Sequence, residues 1–368
     1  MRKISAFLRR KDILFSGKRY GIDALGAMAQ GLFCTLLVGT ILNTIGQQFG
    51  IGFLNTVIVT LGTGEGAVSY TIGGLASAMV GPGIAIAIGT ALHAPGLVLF
   101  SLIPVGFAAN AMGGAGGPLS VYFVAIAACE CGKLVSKETK IDILVTPIVT
   151  ILAGIGLSAL IAAPIGTAAK AVGHAIMWAT ELQPFFMGIL VSVLVGIALT
   201  LPISSAAICA SFGLVGQAGG AAVAGCCAQM LGFAVMSFRE NRWGGLVAQV
   251  LGTSMLQMPN IIKNPRIWIP PTLASAITGP LATCLFQLEM NGSALSSGMG
   301  TCGLVGQIGI YTGWLSDIAA GSKAAITAMD WIGMALICFI LPALLSWIFC
   351  ALLRKWGWIR ENDLKLEL

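Results

Sequence analysis

The sequence predicts an all-α polytopic membrane protein with about eight to ten transmembrane helices and re-entrant hairpins. Three observations lead to this fold class: the composition, the distribution of basic residues, and a pentapeptide that occurs twice. Of the 368 residues, 57% are hydrophobic and 9% are charged, whereas soluble domains carry about 25% charged residues. The mean hydropathy is +0.93. The 49 glycines are typical of helices that pack closely or break within a membrane.

Basic residues predict the orientation of the chain. Seven of the 20 lysines and arginines lie in the first 19 residues, and four more lie at or after Arg354. Because basic residues that flank spans mark the cytoplasmic side, both termini are expected in the cytoplasm of a bacterial cell, with the spans in its plasma membrane. We expect a cytoplasmic amphipathic basic N-terminus at 1–20, a single membrane-embedded domain at 21–353 and a cytoplasmic tail at 354–368. Residues 1–20 can equally be a solvated tail that only fixes topology.

Several function classes are excluded by composition and motifs. The net charge of +6 comes from basic residues that flank spans, so no nucleic-acid partner is expected. The ten cysteines lie mostly in apolar segments and have no zinc spacing, and no phosphate-binding nucleotide loop is present. We therefore expect no metal, no cofactor and no catalytic residue within the chain, and no cleavable signal.

The first third of the chain reads as four crossings, near 22–45, 69–90, 92–112 and 115–132, because basic residues return only at Lys133. Between the first two runs lies Gly62-Thr63-Gly64-Glu65-Gly66, which cannot form a regular helix in lipid without help. A carboxylate within a membrane is a candidate functional group, so Glu65 is either part of a binding site or a residue of a loop in water. His93, at the start of the third run, is either a ligand or a structural residue at a helix end.

A further span is expected at 141–163, followed by an amphipathic connector at 164–184 and another span that ends near Pro202. Parity then makes two segments unusual. Residues 204–236 must begin and end inside, since Arg239 follows, and 294–316 must begin and end outside. Each contains Gly-Leu-Val-Gly-Gln, first at 213–217 and then at 303–307. Residues 204–236 either cross twice, which is tight for their length, or dip into the membrane and return. We predict that both segments are re-entrant hairpins, and a coincidental recurrence of common membrane residues is the alternative for the repeat.

Polar residues among these glycines suggest a site for a sugar or a related polyol, because carboxylates accept hydroxyl hydrogens and amides both donate and accept them. Trp268 or Trp314 is expected to supply aromatic cover. The candidate substrate-binding residues are Glu65, His93, Gln217, Asn264, Glu289 and Gln307.

The turn Asn264-Pro265-Arg266-Ile267-Trp268-Ile269-Pro270-Pro271 resembles the Asn-Pro-x-x-x-x-Pro signature of enzyme IIC, the membrane component of the sugar phosphotransferase system. The basic N-terminus, the glycine-rich spans and the hairpins are also similar to that family over nearly the full chain. The Gly-Thr-Gly-Glu-Gly stretch and the paired pentapeptides look like the stand-alone branch that includes the perfringolysin O regulator-like proteins.

The resemblance implies that the chain forms a homodimer and binds a sugar. It also implies a partner protein, phosphorylated enzyme IIB, which phosphorylates that sugar. Since each predicted soluble tail has only about twenty residues, too few for a soluble domain, IIB is expected on a separate chain. One departure is clear. Better-known members carry a carboxylate before the Asn-Pro turn, where this chain has Gly252-Thr253-Ser254. Either Glu65 or Glu289 substitutes, or phosphorylation is lost. A membrane solute sensor or a transporter that does not phosphorylate its solute therefore remains an alternative.

Overall fold

A computed structural model describes residues 2–62 and 67–366 of the chain. The described residues are mostly helical, which confirms the predicted fold class. They form two compact units, one that extends to Ala168 and one that begins at Ala169. Whether 21–353 acts as a single domain stays a prediction.

Within its described residues, the first unit contains eight helices, the start of a ninth, and one short antiparallel pair of strands. The helices are α1 (Arg2–Arg10), α2 (Ala24–Leu32), α3 (Val38–Gln48), α4 (Gly52–Asn55), α5 (Ile72–Ala78), α6 (Val80–Ala91), α7 (Gly96–Gly113), α8 (Gly117–Val135) and α9 (Asp142–Thr180), and the strands are β1 (Val59–Leu61) and β2 (Val68–Tyr70). Two π-helical turns, Arg19–Asp23 and Phe33–Leu37, make Arg19–Gln48 one continuous helix. In the β hairpin, Val59 pairs with Tyr70 and Leu61 pairs with Val68.

Successive long helices of the first unit run in opposite directions. Gly31 on α2 faces Gly83 on α6, and Gly39 on α3 faces Ser77 on α5, so the chain returns along its own path. Helices α7 and α8 are likewise antiparallel, because the chain reverses at Gly114, where φ is +52° and ψ is −124°.

As far as residue 366, the second unit contains the C-terminal part of α9 and ten further helices, several of which are short or broken. They are α10 (Pro184–Thr200), α11 (Ser205–Ser211), α12 (Gly216–Met236), α13 (Phe238–Val247), α14 (Met258–Lys263), α15 (Ile269–Pro280), α16 (Ala294–Ser297), α17 (Val305–Ala319), α18 (Ala328–Ala335) and α19 (Leu341–Lys355). The π-helical turns Ala248–Gly252, Leu281–Leu285 and Leu336–Ile340 extend α13, α15 and α18, and 3-10 turns lie at Ser254–Gln257, Pro265–Trp268 and Cys302–Leu304. The apolar core lies between α12, α17 and α18 and includes Val223, Ile310 and Trp314.

Small residues bring helices into close contact in both units, as expected where lipid gives no hydrophobic drive for helix association. At each of these contacts an added Cβ would overlap the facing backbone. The facing pairs are Gly31 with Gly83, Gly81 with Gly106, Gly188 with Gly279, and Gly196 with Gly225.

Five helices among the described residues are long and apolar enough to cross a membrane, and a sixth is added if α5 and α6, bent by 53°, form one span. This count treats Gly96–Val135 as one helix, although α7 and α8 are two antiparallel helices. It also leaves out α10, which has 17 residues. The chain is therefore a multi-pass membrane protein. Helix α9 differs from expectation, because its 39 residues continue through the predicted connector. At 1.5 Å per residue it is about 58 Å long, far more than a bilayer core of about 30 Å.

Candidate functional site

The first Gly-Leu-Val-Gly-Gln segment is the tip of a helical hairpin. Helix α10 runs parallel to α12, since Ser192 lies beside Gly225 and the Thr200 hydroxyl donates to Gln229 Oε1 at 3.3 Å. Helix α12 nevertheless begins at Gly216, about 20 Å before Gln229 at 1.5 Å per residue. The connecting helix α11 must therefore run back along α10. Residues 204–236 turn at a tip in which Gly213 and Gly216 have φ of +61° and +66°, values that favour glycine.

The second Gly-Leu-Val-Gly-Gln segment has the same role. Gly300 and Gly303 have φ of +55° and +51°, and the chain passes from α16 through this break into α17. Gly306 packs against Val223, and the Gln307 amide approaches Cys227 Sγ at 3.2 Å. Residues 294–316 thus form a second hairpin, and the repeated pentapeptide marks the break in both.

The two hairpins are inverted and interlocked. Along α12, the 216 end lies beside Met290, whereas Met230 lies beside Thr301 at the second tip. At the first contact Gly216 and Met290 exchange two backbone hydrogen bonds of 3.0 Å. Close by, the Ser297 hydroxyl donates to the Leu214 carbonyl at 2.6 Å. Such crossed, broken helices are the setting in which transporters place polar solutes.

An acid–amide cluster lies at this bridge and consists of Glu289, Asn291 and Asp317. The Asn291 Nδ2 group donates to Glu289 Oε2 at 3.0 Å and to Asp317 Oδ2 at 2.9 Å. All three side chains are half-buried. The Gly216–Met290 bridge also brings Gln217 and Glu289, each next to a bridge residue, to the same end of α12. Two of the predicted site residues therefore lie at one end of α12, where Glu289 and Asp317 supply carboxylate acceptors and Asn291 supplies an amide donor.

Aromatic side chains lie next to the acid–amide cluster. Trp314, one turn before Asp317, is buried and packs edge-on against Trp331 with ring centroids 5.4 Å apart. Tyr311 lies 5.8 Å from Trp331, and these two rings remain 38% and 47% exposed. Lys323 Nζ lies over the Trp314 ring. Exposed aromatic faces beside paired carboxylates and an amide suit a ligand with both apolar faces and hydroxyl groups.

Gln307 lies deeper in the second unit. It is 6% exposed, and no hydrogen-bond partner reaches its Oε1 atom within the described part of the chain. An amide oxygen that is buried without a partner costs free energy, so Gln307 is a candidate contact for a solute inside the unit.

Asn264 lies away from this cluster, at the turn before α15. Its Nδ2 donates to the Trp358 carbonyl at 2.9 Å and to Asp363 Oδ2 at 2.7 Å, and its Oδ1 accepts from the Arg266 amide at 3.2 Å. The side chain therefore joins the Asn-Pro turn to the C-terminal segment.

The two tryptophans expected as aromatic cover have different surroundings. The Trp268 indole donates to Gln229 Oε1 at 3.0 Å, so only Trp314 lies beside the acid–amide cluster.

His93 belongs to a separate polar region in the first unit. It has φ of +56°, and its Nδ1 lies 3.2 Å from Asp12 Oδ2. The Arg19 guanidinium, hydrogen-bonded to Asp12, lowers the pKa of that carboxyl to about 2. A cavity of about 440 Å³ here is lined by His93, Lys11, Lys133 and other charged residues.

One predicted site residue, Glu65, has no described position, and four residues at or near the acid–amide cluster were not predicted. Glu65 lies outside the described residues. The sequence patterns predict no site role for Asn291, Asp317, Tyr311 or Trp331. The signal available for Asp317 was its spacing of three from Trp314, which places both on one face of a helix.

Comparison with known protein families matches residues 22–366 to the family described as Phosphotransferase system, EIIC. No curated protein and no solved structure gave a match. The match covers nearly the whole chain, including both hairpins and the Asn-Pro turn, and it implies sugar translocation and a IIB partner. The chain belongs to the EIIC family of the phosphotransferase system.

Proposed function

We propose that the second unit binds a sugar or related polyol at the acid–amide cluster and translocates it for phosphorylation by a phosphorylated IIB protein on a separate chain. The observation that carries this proposal is the Gly216–Met290 bridge, which joins the two hairpin segments beside Glu289, Asn291 and Asp317.

The chemistry of the cluster supports a neutral, hydroxyl-bearing solute. The carboxylates of Glu289 and Asp317 are half-buried acceptors, and Asn291 supplies a donor between them. A cationic ligand is less well matched, because Lys323 already lies nearby and pairs with Asp330 at 2.8 Å. Sugar hydroxyls can replace the bonds of the Asn291 amide without adding charge.

The positions of basic residues suggest which end of α12 faces the cytoplasm. Arg354 pairs with Glu240 at 2.7 Å just beyond the end of α12, and Lys263 begins the Asn-Pro turn. If this end faces the cytoplasm, the acid–amide cluster opens outward and IIB acts at the opposite end of α12, about 30 Å away. We further propose that the chain is a homodimer of the stand-alone branch similar to perfringolysin O regulator-like proteins, with both termini in the cytoplasm.

The test is phosphoenolpyruvate-dependent phosphorylation of a sugar panel by membranes with and without the chain, supplied with the soluble phosphotransferase proteins. A sugar phosphorylated only in membranes that contain the chain supports the proposal. Glu289→Gln is expected to reduce that activity at least tenfold. The matched control is Glu181→Gln, because Glu181 is an exposed carboxylate of the same unit. Equal loss in both variants would remove the acid–amide cluster as the site.

A membrane sensor that binds sugar without phosphorylation is the second candidate function. It is favoured by the segment before the Asn-Pro turn, where Thr253 and Ser254 are buried. The Ser254 hydroxyl lies 2.8 Å from Thr200 Oγ1, and Thr253 Oγ1 accepts from the Met255 amide. These hydroxyls stand where better-known members have an acid. Sugar binding that depends on Glu289, without phosphorylation beside a working control IIC, would select this function.

A further inference from the structure

The C-terminal segment 358–366, here named the C-terminal strap, is held by a row of amide side chains. Two of these side chains, Gln249 and Gln257, are fully buried, and Asn260 is 4% exposed. Together with Asn241 they form what we name the amide cradle. So many buried amides in one place are costly unless each finds a partner.

The cradle binds the backbone of the strap. Asn241 Nδ2 and Gln257 Nε2 both donate to the Leu364 carbonyl, at 2.7 and 3.1 Å. Asn260 Nδ2 donates to the Lys365 carbonyl at 2.9 Å, and the Leu366 amide donates to Asn241 Oδ1 at 2.8 Å. The strap contributes only backbone carbonyl and N–H groups to these bonds. Any ligand with hydrogen-bond acceptors and a donor at the same positions could therefore bind the cradle, whatever its side chains.

The cradle amides also bond to one another. Gln257 Nε2 donates to Gln249 Oε1 at 3.0 Å, and Asn260 Nδ2 donates to Gln257 Oε1 at 2.8 Å. Gln249 in turn donates to the Ser237 hydroxyl at 2.9 Å. This network fixes the orientation of each amide, so the cradle keeps its donors in place when the partner changes.

The strap also has anchors outside the cradle, among them backbone hydrogen bonds from Trp358 and Ile359 to the Leu353 carbonyl. Ile359 and Leu364 are its buried apolar residues, with 2% and 0% exposure. Arg266 lies over the Trp358 ring, and Asn264 bonds to Trp358 and Asp363. The intervening Glu361 and Asn362 are exposed. A nine-residue segment held in this way can detach without unfolding the helices that form the cradle.

We propose that the amide cradle is a second sugar subsite, and that the C-terminal strap occupies it until a sugar displaces the strap. The proposal rests on the proposed function and adds a site at the other end of α12 from the acid–amide cluster. Fixed amides that donate to peptide carbonyls and accept from a peptide N–H match sugar hydroxyls equally well, because a hydroxyl both accepts and donates. The strap thus keeps the buried amides satisfied while the subsite is empty of solute.

The first measurement uses the unmodified full-length chain in detergent, with the sugar identified by the phosphorylation panel or, failing that, each panel sugar in turn. Hydrogen exchange of residues 358–366 is expected to rise severalfold at saturating sugar, because the strap leaves the cradle. Unchanged exchange with sugar bound would overturn the proposal.

The second measurement uses Leu364→Asp, which removes the buried anchor of the strap and leaves all cradle amides in place. If strap and sugar compete, the apparent affinity for sugar increases as the open fraction increases, and we expect about a tenfold tighter dissociation constant. Lys365→Ala is the matched control, since only the backbone carbonyl of Lys365 contacts the cradle and its side chain is exposed. Affinity within twofold of the unmodified chain, or weaker, would contradict the proposal.

The two proposals fail separately. If sugar binds and depends on Glu289 but the strap does not respond, the acid–amide cluster stands and the cradle is a structural support of the C-terminus. If no panel sugar binds to any variant, the proposed function fails and the sugar assignment of the cradle fails with it. If Leu364→Asp does not fold, the exchange of the unmodified chain decides the question alone.

Discussion

Replacing Asn291 by alanine is the sharpest test of the acid–amide cluster. The change removes two hydrogen bonds from one amide nitrogen, at 3.0 Å to Glu289 and at 2.9 Å to Asp317. It also leaves two carboxylates close together without the donor between them.

The size of the effect follows from the burial of the cluster. Hydrogen bonds to charged groups contribute about 1.5–3 kcal/mol when buried. Because Glu289, Asn291 and Asp317 are all half-buried, we take about 1 kcal/mol for each bond, or about 2 kcal/mol in total. If two sugar hydroxyls replace the two carboxylates as partners of the Asn291 amide, loss of that amide corresponds to about a 30-fold weaker dissociation constant.

The assay is isothermal calorimetry with a sugar that the unmodified chain binds, accompanied by thermal unfolding of each variant in detergent. Gln183→Ala is the control, because Gln183 is an exposed amide of the same unit that does not cap its helix through its side chain. Binding by Asn291→Ala within twofold of the unmodified chain, with the fold intact, would refute the assignment of this cluster as a sugar site. A loss of affinity that is matched by Gln183→Ala would have the same consequence.

Three further changes test other parts of the structure. Asn264→Ala removes two bonds to the C-terminal strap and should speed hydrogen exchange of the strap severalfold, whereas unchanged exchange would show that the turn does not hold it. Gly220→Val should lower the free energy of unfolding by about 1–3 kcal/mol, because its Cβ would overlap the Leu288 carbonyl; an unchanged melting temperature would contradict that packing. The Asp12 pKa is lowered to about 2 chiefly by its hydrogen bond to Arg19, so its stabilisation is complete above its usual pKa of about 4 and is lost as the pH falls towards 2. Asp12→Asn should therefore lower the melting temperature at pH 7 and approach the unmodified chain only as the pH falls to about 2, and a difference that stays constant with pH would refute this.

Much of the second unit could be predicted because its signals are local. Glycines that adopt positive φ recur in the same pentapeptide, and the distribution of basic residues requires each segment to return to the side where it began. In the structure the chain reverses at both pentapeptides, with breaks at Gly216 and Gly303, and whether each segment returns to the membrane face where it began stays a prediction. The long helices of the first unit could also be predicted, since they coincide with apolar runs in the sequence.

The partners of the site residues could not be predicted, because they come from distant parts of the chain. Asn264 bonds to Trp358 and Asp363, which lie almost 100 positions further along. Nothing in the turn itself shows that the C-terminus returns to it. Asp317 likewise meets Asn291 only because α17 passes back beside the start of its own hairpin. Helix α9 was expected to end near residue 163 but extends to Thr180. The mixed polar and apolar pattern of 164–180 is compatible with a continued amphipathic helix as well as with a separate connector.

The Gly216–Met290 bridge is the contact that the proposed transport cycle would break most easily. It consists of two backbone hydrogen bonds of 3.0 Å, each worth about 1 kcal/mol net, and it is not part of a larger sheet. The tightly packed helices around it are held instead by glycine contacts such as Gly188 with Gly279, which cannot separate in small steps. We therefore expect motion between the hairpins at this bridge and little motion within the α10, α12 and α15 group. Because Gln217 and Glu289 adjoin the bridge, its opening would move residues that we propose contact the solute, and this one contact would then link solute binding to hairpin movement.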